Sequence, residues 1–202
     1  RDWSSDVCSS DLYEKEVALH IKRILESKID ALVNVGCAGG YYLSIADFIN
    51  KKIDLIGIDC SPKAINELTK FRSKRIRKVF LFHKYVDSND FHLFTRKYRC
   101  PFFIIDIEGA EFELFKNLKN KKIFFNSFLF IEVHKYAKDF YSIENFFKKT
   151  HKVTLVTFAN YYLNSKFNIY NVIRLALIHE FRNPNTEYLL LEPKNYYKKV
   201  NK

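Results

Sequence analysis

The sequence has no methionine, and among its 202 residues are only five glycines, four prolines and four cysteines. No apolar run of about eighteen residues or more occurs, which argues against a transmembrane helix. No basic segment followed by an apolar segment opens the chain, so no secretory signal is visible. We find no internal repeat and no linker rich in proline and glycine. A chain of this length can bury a core as a single α/β domain.

The cysteines indicate a reducing compartment. Cys37, Cys60 and Cys100 are far apart along the chain, and the fourth, Cys8, lies in the first twelve residues. Such spacing is typical neither of a disulfide framework nor of a zinc site. We therefore expect a cytoplasmic protein.

The first twelve residues, RDWSSDVCSSDL, differ from the rest of the chain and include its only tryptophan, Trp3. Residues 2–12 resemble a translated frame of a common sequencing adaptor, so we interpret residues 1–12 as a non-native segment. On this interpretation residues 13–202 are a single domain, truncated at its N-terminal end before Tyr13. The alternative is a genuine polar tail.

The formal net charge of +11 invites a nucleic-acid or membrane-surface interpretation. The lysines, however, are spread along the whole chain, and the densest cluster is residues 70–78, KFRSKRIRK. Charge that is scattered in this way favours a solvated surface. No nucleic-acid partner is expected.

Short apolar runs alternate with segments of helical spacing. The predicted strands are 31–36, 53–59, 79–82, 101–107, 125–134, 152–158 and 187–192. The predicted helices are 14–28, 41–50, 62–75, 110–119, 142–149 and 169–178. Residues 85–100 are polar and aromatic and have no clear pattern. This alternation predicts a parallel sheet with helices on both faces.

Most of the glycines lie at or just after strand ends, where open α/β sheets bind ligands. Gly36 and Gly40 belong to a loop after the first strand, but Ala38 breaks the G-x-G-x-x-G pattern of dinucleotide folds. A methyltransferase instead lays the methionine part of its cofactor against such a loop. Asp59, which closes the second strand, can accept both hydroxyls of an adenosine ribose.

Four motifs, in the expected order, resemble FkbM-type methyltransferases. Residues 33–46 (VNVGCAGGYYLSIA) are similar to the first motif of that family, and residues 55–68 (LIGIDCSPKAINEL) to the second. Residues 103–114 (FIIDIEGAEFEL) match the most specific motif, D-[VI]-E-G-x-E, and residues 129–134 (LFIEVH) resemble the next strand. The resemblance covers roughly half of the chain.

The resemblance implies a Rossmann-like class I methyltransferase fold, in which a mostly parallel seven-stranded sheet ends in an antiparallel strand. It also implies O-methylation, with S-adenosyl-L-methionine, of a hydroxyl on a sugar, glycan or polyketide-like small molecule. The positions that match a cofactor site are Asn34, Gly36, Gly40, Tyr41, Asp59 and Asp106. Asn34 departs from the family, where an acidic residue is usual, and Asp87 and Asp90 are the candidates for the adenine contact.

Asp106, Glu108, Glu132 and His134 follow the fourth and fifth strands, and they should converge on one crevice if those strands are neighbours. The predicted catalytic residues are His134, Glu108 and Asp106, with His134 as general base on the acceptor hydroxyl. Alternatively, Asp106, Glu132 and His134 hold a divalent cation such as Mg²⁺, which acidifies the hydroxyl. A third possibility is a structural ion pair between Glu132 and His134.

Three other functions stay open. A nucleic-acid methyltransferase suits the basic charge, but a base-modifying enzyme usually carries a D/N-P-P-Y type motif where this chain has residues 106–109, DIEG. A degenerate member of the fold could bind without catalysis. An NAD-dependent oxidoreductase is disfavoured by the glycine spacing.

Overall fold

The computed structural model of the chain describes residues 15–75, 79–118, 121–134, 137–156 and 187–196. The predictions for residues 1–12, for residues 76–78 of the basic cluster and for a helix at 169–178 lie outside these residues. Everything below refers to the described part of the chain.

The centre of the fold is a seven-stranded sheet. Its strands are β1 (Ala31–Val35), β2 (Asp54–Asp59), β3 (Val79–His83), β4 (Pro101–Ile105), β5 (Phe128–Val133), β6 (His151–Val156) and β7 (Glu187–Pro193). The order across the sheet is β3-β2-β1-β4-β5-β7-β6. The first five strands are parallel, and β7 runs antiparallel to both β5 and β6. The predicted mostly parallel sheet with an antiparallel last strand is confirmed.

Helices cover both faces of this sheet. They are α1 (Lys15–Leu25), α2 (Tyr41–Ile49), α3 (Pro62–Arg75), α4 (Ser88–Lys97), α5 (Glu111–Lys116) and α6 (Ala137–Phe147). Helices α1, α2 and α3 pack on one apolar cluster, and α4, α5 and α6 pack on another. Successive residues of each strand point alternately into the two clusters. Residues of β1, β2, β4 and β5 are therefore mostly buried on both faces, which explains their continuous apolar runs, whereas the edge strand β3 is fully buried only at Val79. None of the described helices has the length and apolarity needed to cross a membrane.

Several element boundaries differ from the sequence prediction by one to five residues. β4 ends at Ile105 rather than 107, because the chain turns at residues 106–109. β5 begins at Phe128 rather than 125, because a 3-10 turn occupies Lys121–Phe124. α6 begins at Ala137, five residues before the predicted start.

Helix α4 lies in the segment that had no clear pattern. Asp87 caps it: its side chain accepts hydrogen bonds from the N–H groups of Asn89 and Asp90, and the Asp90 side chain accepts the N–H of Asp87. This reciprocal arrangement satisfies donors that the first turn of a helix leaves unpaired. The Asp-x-x-Asp spacing is therefore the sequence signal for the helix.

Candidate functional site

A cavity of about 510 Å³ opens where the carboxyl ends of β1, β2 and β4 meet. Its lining includes Gly36, Ala38, Asp59, Asp87, Asp106 and Glu108. In open parallel sheets, ligands bind at this edge, beside the point where the strand order reverses. Here the reversal falls between β1 and β4, and the cavity lies at that place.

The loop after β1 approaches the backbone of the neighbouring strand. Gly36 has φ +75°, and a Cβ at this position would lie 1.6 Å from the carbonyl oxygen of Asp106. The N–H groups of Gly36 and Cys37 both donate to the carbonyl of Ile58, at 2.8 and 3.1 Å. Only glycine fits at position 36, because any Cβ there would overlap the Asp106 carbonyl.

Gly40 and Tyr41 do not line the cavity. Gly40 has φ +79°, and a Cβ there would lie 2.3 Å from Cδ1 of Leu68, so this glycine lets α3 pack closely. The Tyr41 ring makes an edge contact with Tyr42 at 5.2 Å. Their assignment as cofactor contacts stays a prediction.

Asp59 connects the cavity wall to the loop. Its Oδ2 accepts the N–H of Ala38 at 2.9 Å, and its Oδ1 accepts the N–H of Ser61 at 2.8 Å. An ionised carboxylate has about four acceptor sites, so each oxygen keeps capacity for another donor. Asp59 is thereby fixed in orientation and still able to bind hydroxyl groups in the cavity.

Asn34 is buried in β1 with a relative exposure of 1%, and neither its amide oxygen nor its amide nitrogen has a hydrogen-bond partner among the described residues. It pairs in register with Gly57 and Ile104. A buried amide without partners is costly and therefore rare, and Asn34 is not among the residues that line the cavity, so its assignment as a cofactor contact stays a prediction.

Asp87 and Asp90 have different surroundings. Asp87 lines the cavity while its carboxylate caps α4. Asp90 is buried and accepts a hydrogen bond from Lys84 Nζ at 2.6 Å. The Asp90 carboxylate is therefore committed to structure, and Asp87 is the one of the two that borders the cavity.

A histidine surrounded by carboxylates adjoins the cavity. It lies there because β4 and β5 are neighbours in the sheet, so that the residues after them are close together. His134 Nδ1 donates to Oε1 of Glu111 at 3.0 Å. On the other side of the ring, Nε2 lies 3.5 Å from Asp106 Oδ1, 3.5 Å from Glu108 Oε2 and 3.4 Å from Glu132 Oε1. We call these five residues the His134 cluster. The predicted convergence of residues from the fourth and fifth strands is confirmed.

The charges of the cluster shift its pKa values. The hydrogen bond to Glu111 is the main cause that raises the pKa of His134 to about 9, against a smaller opposing effect of burial. Burial alone would raise the pKa of Glu111, but the bonds from His134 and from the Ile107 and Gly109 N–H groups outweigh it and lower that pKa. Burial is the main cause that raises the pKa of Asp106. Several perturbed groups in one cleft are typical of a functional site.

The turn after β4 presents Glu108 to the cluster. The sequence predicted this through strand alternation, but the strand has already ended, and Glu108 takes φ +54°. A left-handed glutamate is uncommon and costs conformational energy, which such residues retain mostly at functional sites. The exposed fraction of its side chain is 86%.

Glu111 is the cluster residue that the sequence placed near the strand ends but to which it assigned no role. It is the first residue of α5, and its side chain is only 3% exposed. Oε1 accepts the N–H groups of Ile107 and Gly109, at 3.1 and 3.2 Å, in addition to His134. Glu111 is the last residue of the D-x-E-G-x-E pattern. Its partner, His134, follows a different strand, so the pattern alone does not reveal the contact.

No protein-family model matches the sequence, and a search of curated proteins finds no match. Among solved structures, the chain is similar to an rRNA methylase from Streptococcus thermophilus, at 12% identity and TM-score 0.55, over 91% of this chain and 99% of that one. It is also similar to a precorrin-6y C5,15-methyltransferase from Geobacter metallireducens GS-15, at 11% identity and TM-score 0.53, over 92% of both chains. A ribosomal protein L11 methylase from Lactobacillus delbrueckii subsp. bulgaricus gives 12% identity and TM-score 0.52, over 89% of this chain and 77% of that one. The fold is therefore the Rossmann-like fold of these methyltransferases, and membership of the FkbM family stays a prediction.

Proposed function

We propose that the protein is an S-adenosylmethionine-dependent methyltransferase that acts on a hydroxyl of a sugar, glycan or polyketide-like small molecule. One observation carries the proposal. A single cavity at the ligand-binding edge of a methyltransferase fold reaches from Asp59 on β2 to Asp106 in the His134 cluster. Asp59 suits a ribose, and the cluster suits a group that must lose a proton.

The residues present fit the cofactor. Gly36 lines the cavity with backbone atoms alone, and the buried amide of Asn34 has donor and acceptor atoms without partners among the described residues. Asp59 keeps acceptor capacity for two hydroxyls. When bound, S-adenosylmethionine supplies an electrophilic methyl group. Gly36 and Asp59, which line the cavity, are the contacts that we propose to hold it.

The His134 cluster would orient the acceptor hydroxyl and remove its proton. Glu111 fixes the ring of His134 through Nδ1, which leaves Nε2 directed at Asp106, Glu108 and Glu132. Asp106 and Glu108 also line the cavity. A hydroxyl held between the cavity and this cluster would lose its proton to a carboxylate of the cluster while its oxygen takes the methyl group and the bond from carbon to sulfur breaks.

The charge of the cluster favours a small, uncharged acceptor. Four carboxylates lie within 3.5 Å of one imidazole. Such a concentration of negative charge repels a phosphate backbone. The chain as a whole has an excess of basic residues, but the residues that would face the proposed acceptor are mainly acidic.

The proposal is tested by measuring release of S-adenosylhomocysteine in the presence of acceptor panels. Sugars, glycans, hydroxylated polyketides, RNA and protein extracts are compared as acceptors. Glu67→Gln, on the exposed side of α3, serves as a control variant in which one exposed charge is removed. We expect turnover with a hydroxylated small molecule by the wild type and by the control. Turnover only with RNA or protein would overturn the proposed acceptor class.

A further inference from the structure

From the geometry of the His134 cluster we propose that Asp106, Glu132 and His134 bind a divalent cation of the Mn²⁺ or Mg²⁺ type. One donor atom from each of these residues lies within 4.8 Å of the other two. The donors come from the ends of two neighbouring strands, so a rigid part of the sheet sets their positions. The cation itself is independent of the methyl acceptor, and only its catalytic role rests on the proposed function.

The distances leave room for an ion between the donors. Nε2 of His134 lies 3.4 Å from Glu132 Oε1 and 3.5 Å from Asp106 Oδ1, which are longer than ordinary hydrogen bonds. Around Mg²⁺, ligands at bond lengths of about 2.1 Å occupy neighbouring octahedral vertices that are about 3 Å apart. The donor atoms of Asp106 and Glu132 lie within 4.8 Å of each other, so the three side chains would close around the ion to form one face of an octahedron.

Asp106 supplies a second, independent observation. Its Oδ1 is buried and has no hydrogen-bond partner among the described residues. A buried carboxylate oxygen without a donor needs a nearby positive charge, and a bound metal ion would supply one more closely than the His134 ring does. The same oxygen is the one that faces Nε2 of His134.

Glu111 places His134 as a metal ligand requires. A ligating imidazole usually donates its other N–H to a carboxylate, which fixes the ring and the tautomer. Here Nδ1 donates to the buried Glu111 at 3.0 Å, and Nε2 faces the two carboxylates, where a bound cation would take the place of the Nε2 proton. Two carboxylates and one imidazole favour Mn²⁺, Mg²⁺ or a similar cation over a soft metal.

The cation would border the cavity through Asp106. Its remaining coordination positions could accept water or the acceptor hydroxyl, whose pKa falls when its oxygen binds a divalent cation. Glu108, at the cavity wall, is then placed to take the proton. The O–H electrons stay on oxygen, which attacks the methyl carbon while the bond from carbon to sulfur breaks.

Binding is tested without cofactor or acceptor, so that its failure is distinct from failure of the proposed function. Mn²⁺ is titrated into the full chain and free ion is followed by electron paramagnetic resonance, with Mg²⁺ as competitor. We expect one saturable site in the wild type and in Glu67→Gln, a loss of affinity of about 100-fold or more in Glu132→Gln, and about 10-fold or more in Glu111→Gln.

A thermal melt with and without Mn²⁺ shows whether each variant folds, and the ion should raise Tm only where it binds. A folded wild type without saturable Mn²⁺ binding would overturn the proposal. So would a Glu132→Gln variant that binds Mn²⁺ as tightly as the wild type, because the ion would then lie elsewhere.

Discussion

His134 Nδ1 and Glu111 Oε1 lie 3.0 Å apart, and this hydrogen bond joins the end of β5 to the first turn of α5. Glu111 also receives two backbone N–H groups of the turn after β4. One buried carboxylate thus fixes both the histidine and the turn that presents Glu108. The orientation of Nε2 toward the cavity side depends on this relationship.

Replacement of His134 with alanine should lower turnover and leave cofactor affinity unchanged. The ring contacts the carboxylates of the cluster, whereas the proposed ribose contact, Asp59, lies on β2. His134 positions the carboxylates that would accept the proton, and proton transfer by a positioned group contributes about 10²- to 10⁴-fold to a rate. The check is kcat together with calorimetric titration of S-adenosylhomocysteine. Unchanged kcat would remove His134 from the mechanism.

Gly36→Ala should destabilise the fold and Gly39→Ala should not. A Cβ at position 36 meets the Asp106 carbonyl at 1.6 Å with φ +75°, whereas nothing lies within 4 Å of a Cβ at position 39. We expect the free energy of unfolding to fall by about 2 kcal/mol or more in the first variant and to change by less than about 1 kcal/mol in the second. Urea denaturation of both variants measures this, and equal stabilities would contradict the structure of the loop.

Glu108→Gly should separate activity from stability. Glycine adopts φ +54° without strain, so the free energy of unfolding should stay the same or rise by about 1 kcal/mol. Loss of the carboxylate should lower turnover about tenfold or more, since a charged hydrogen-bonding group contributes about 1.5–3 kcal/mol. Parallel measurement of kcat and denaturant midpoint tests both parts. A clear loss of stability would show that the carboxylate is structural.

His151 should make stability dependent on pH. Burial lowers the pKa of this histidine from 6.5 to about 4, while Nε2 donates to the Ser127 carbonyl at 3.0 Å. The unfolded chain binds a proton at this histidine more readily than the folded chain does. The free energy of unfolding is therefore unaffected by His151 above about pH 6.5 and falls by up to about 3 kcal/mol as the pH is lowered toward 4. Denaturation between pH 7 and 4 should show a smaller loss in His151→Gln than in the wild type. Identical pH slopes would refute the assignment.

The strands could be predicted from the sequence because parallel strands buried on both faces are continuous apolar runs. Helix α4 could not be predicted in this way. Phe91 is buried while Leu93, two residues later, is exposed, and polar residues interrupt the apolar side of the helix. What determines it is the reciprocal cap between Asp87 and Asp90. Local capping decides such a helix where periodicity is weak.

For the site, the sequence predicted which residues follow neighbouring strands, and the structure brings Asp106, Glu108, Glu132 and His134 together. It did not predict Glu111, because that role depends on a contact between residues 23 positions apart. Nor did it predict the left-handed turn at Glu108, since a glutamate in that conformation contradicts local preference.

The most direct test of the account is calorimetric titration of S-adenosylhomocysteine into the wild type, Asp59→Asn and Asp54→Asn. Asp59 borders the cavity, and Asp54 is the matched control at the opposite end of the same strand. We predict saturable binding by the wild type and by Asp54→Asn, and about 10- to 100-fold weaker binding by Asp59→Asn, because charged hydrogen bonds to the ribose are lost. No binding by a folded, monodisperse wild type would contradict the account and would favour a fold that has lost its cofactor.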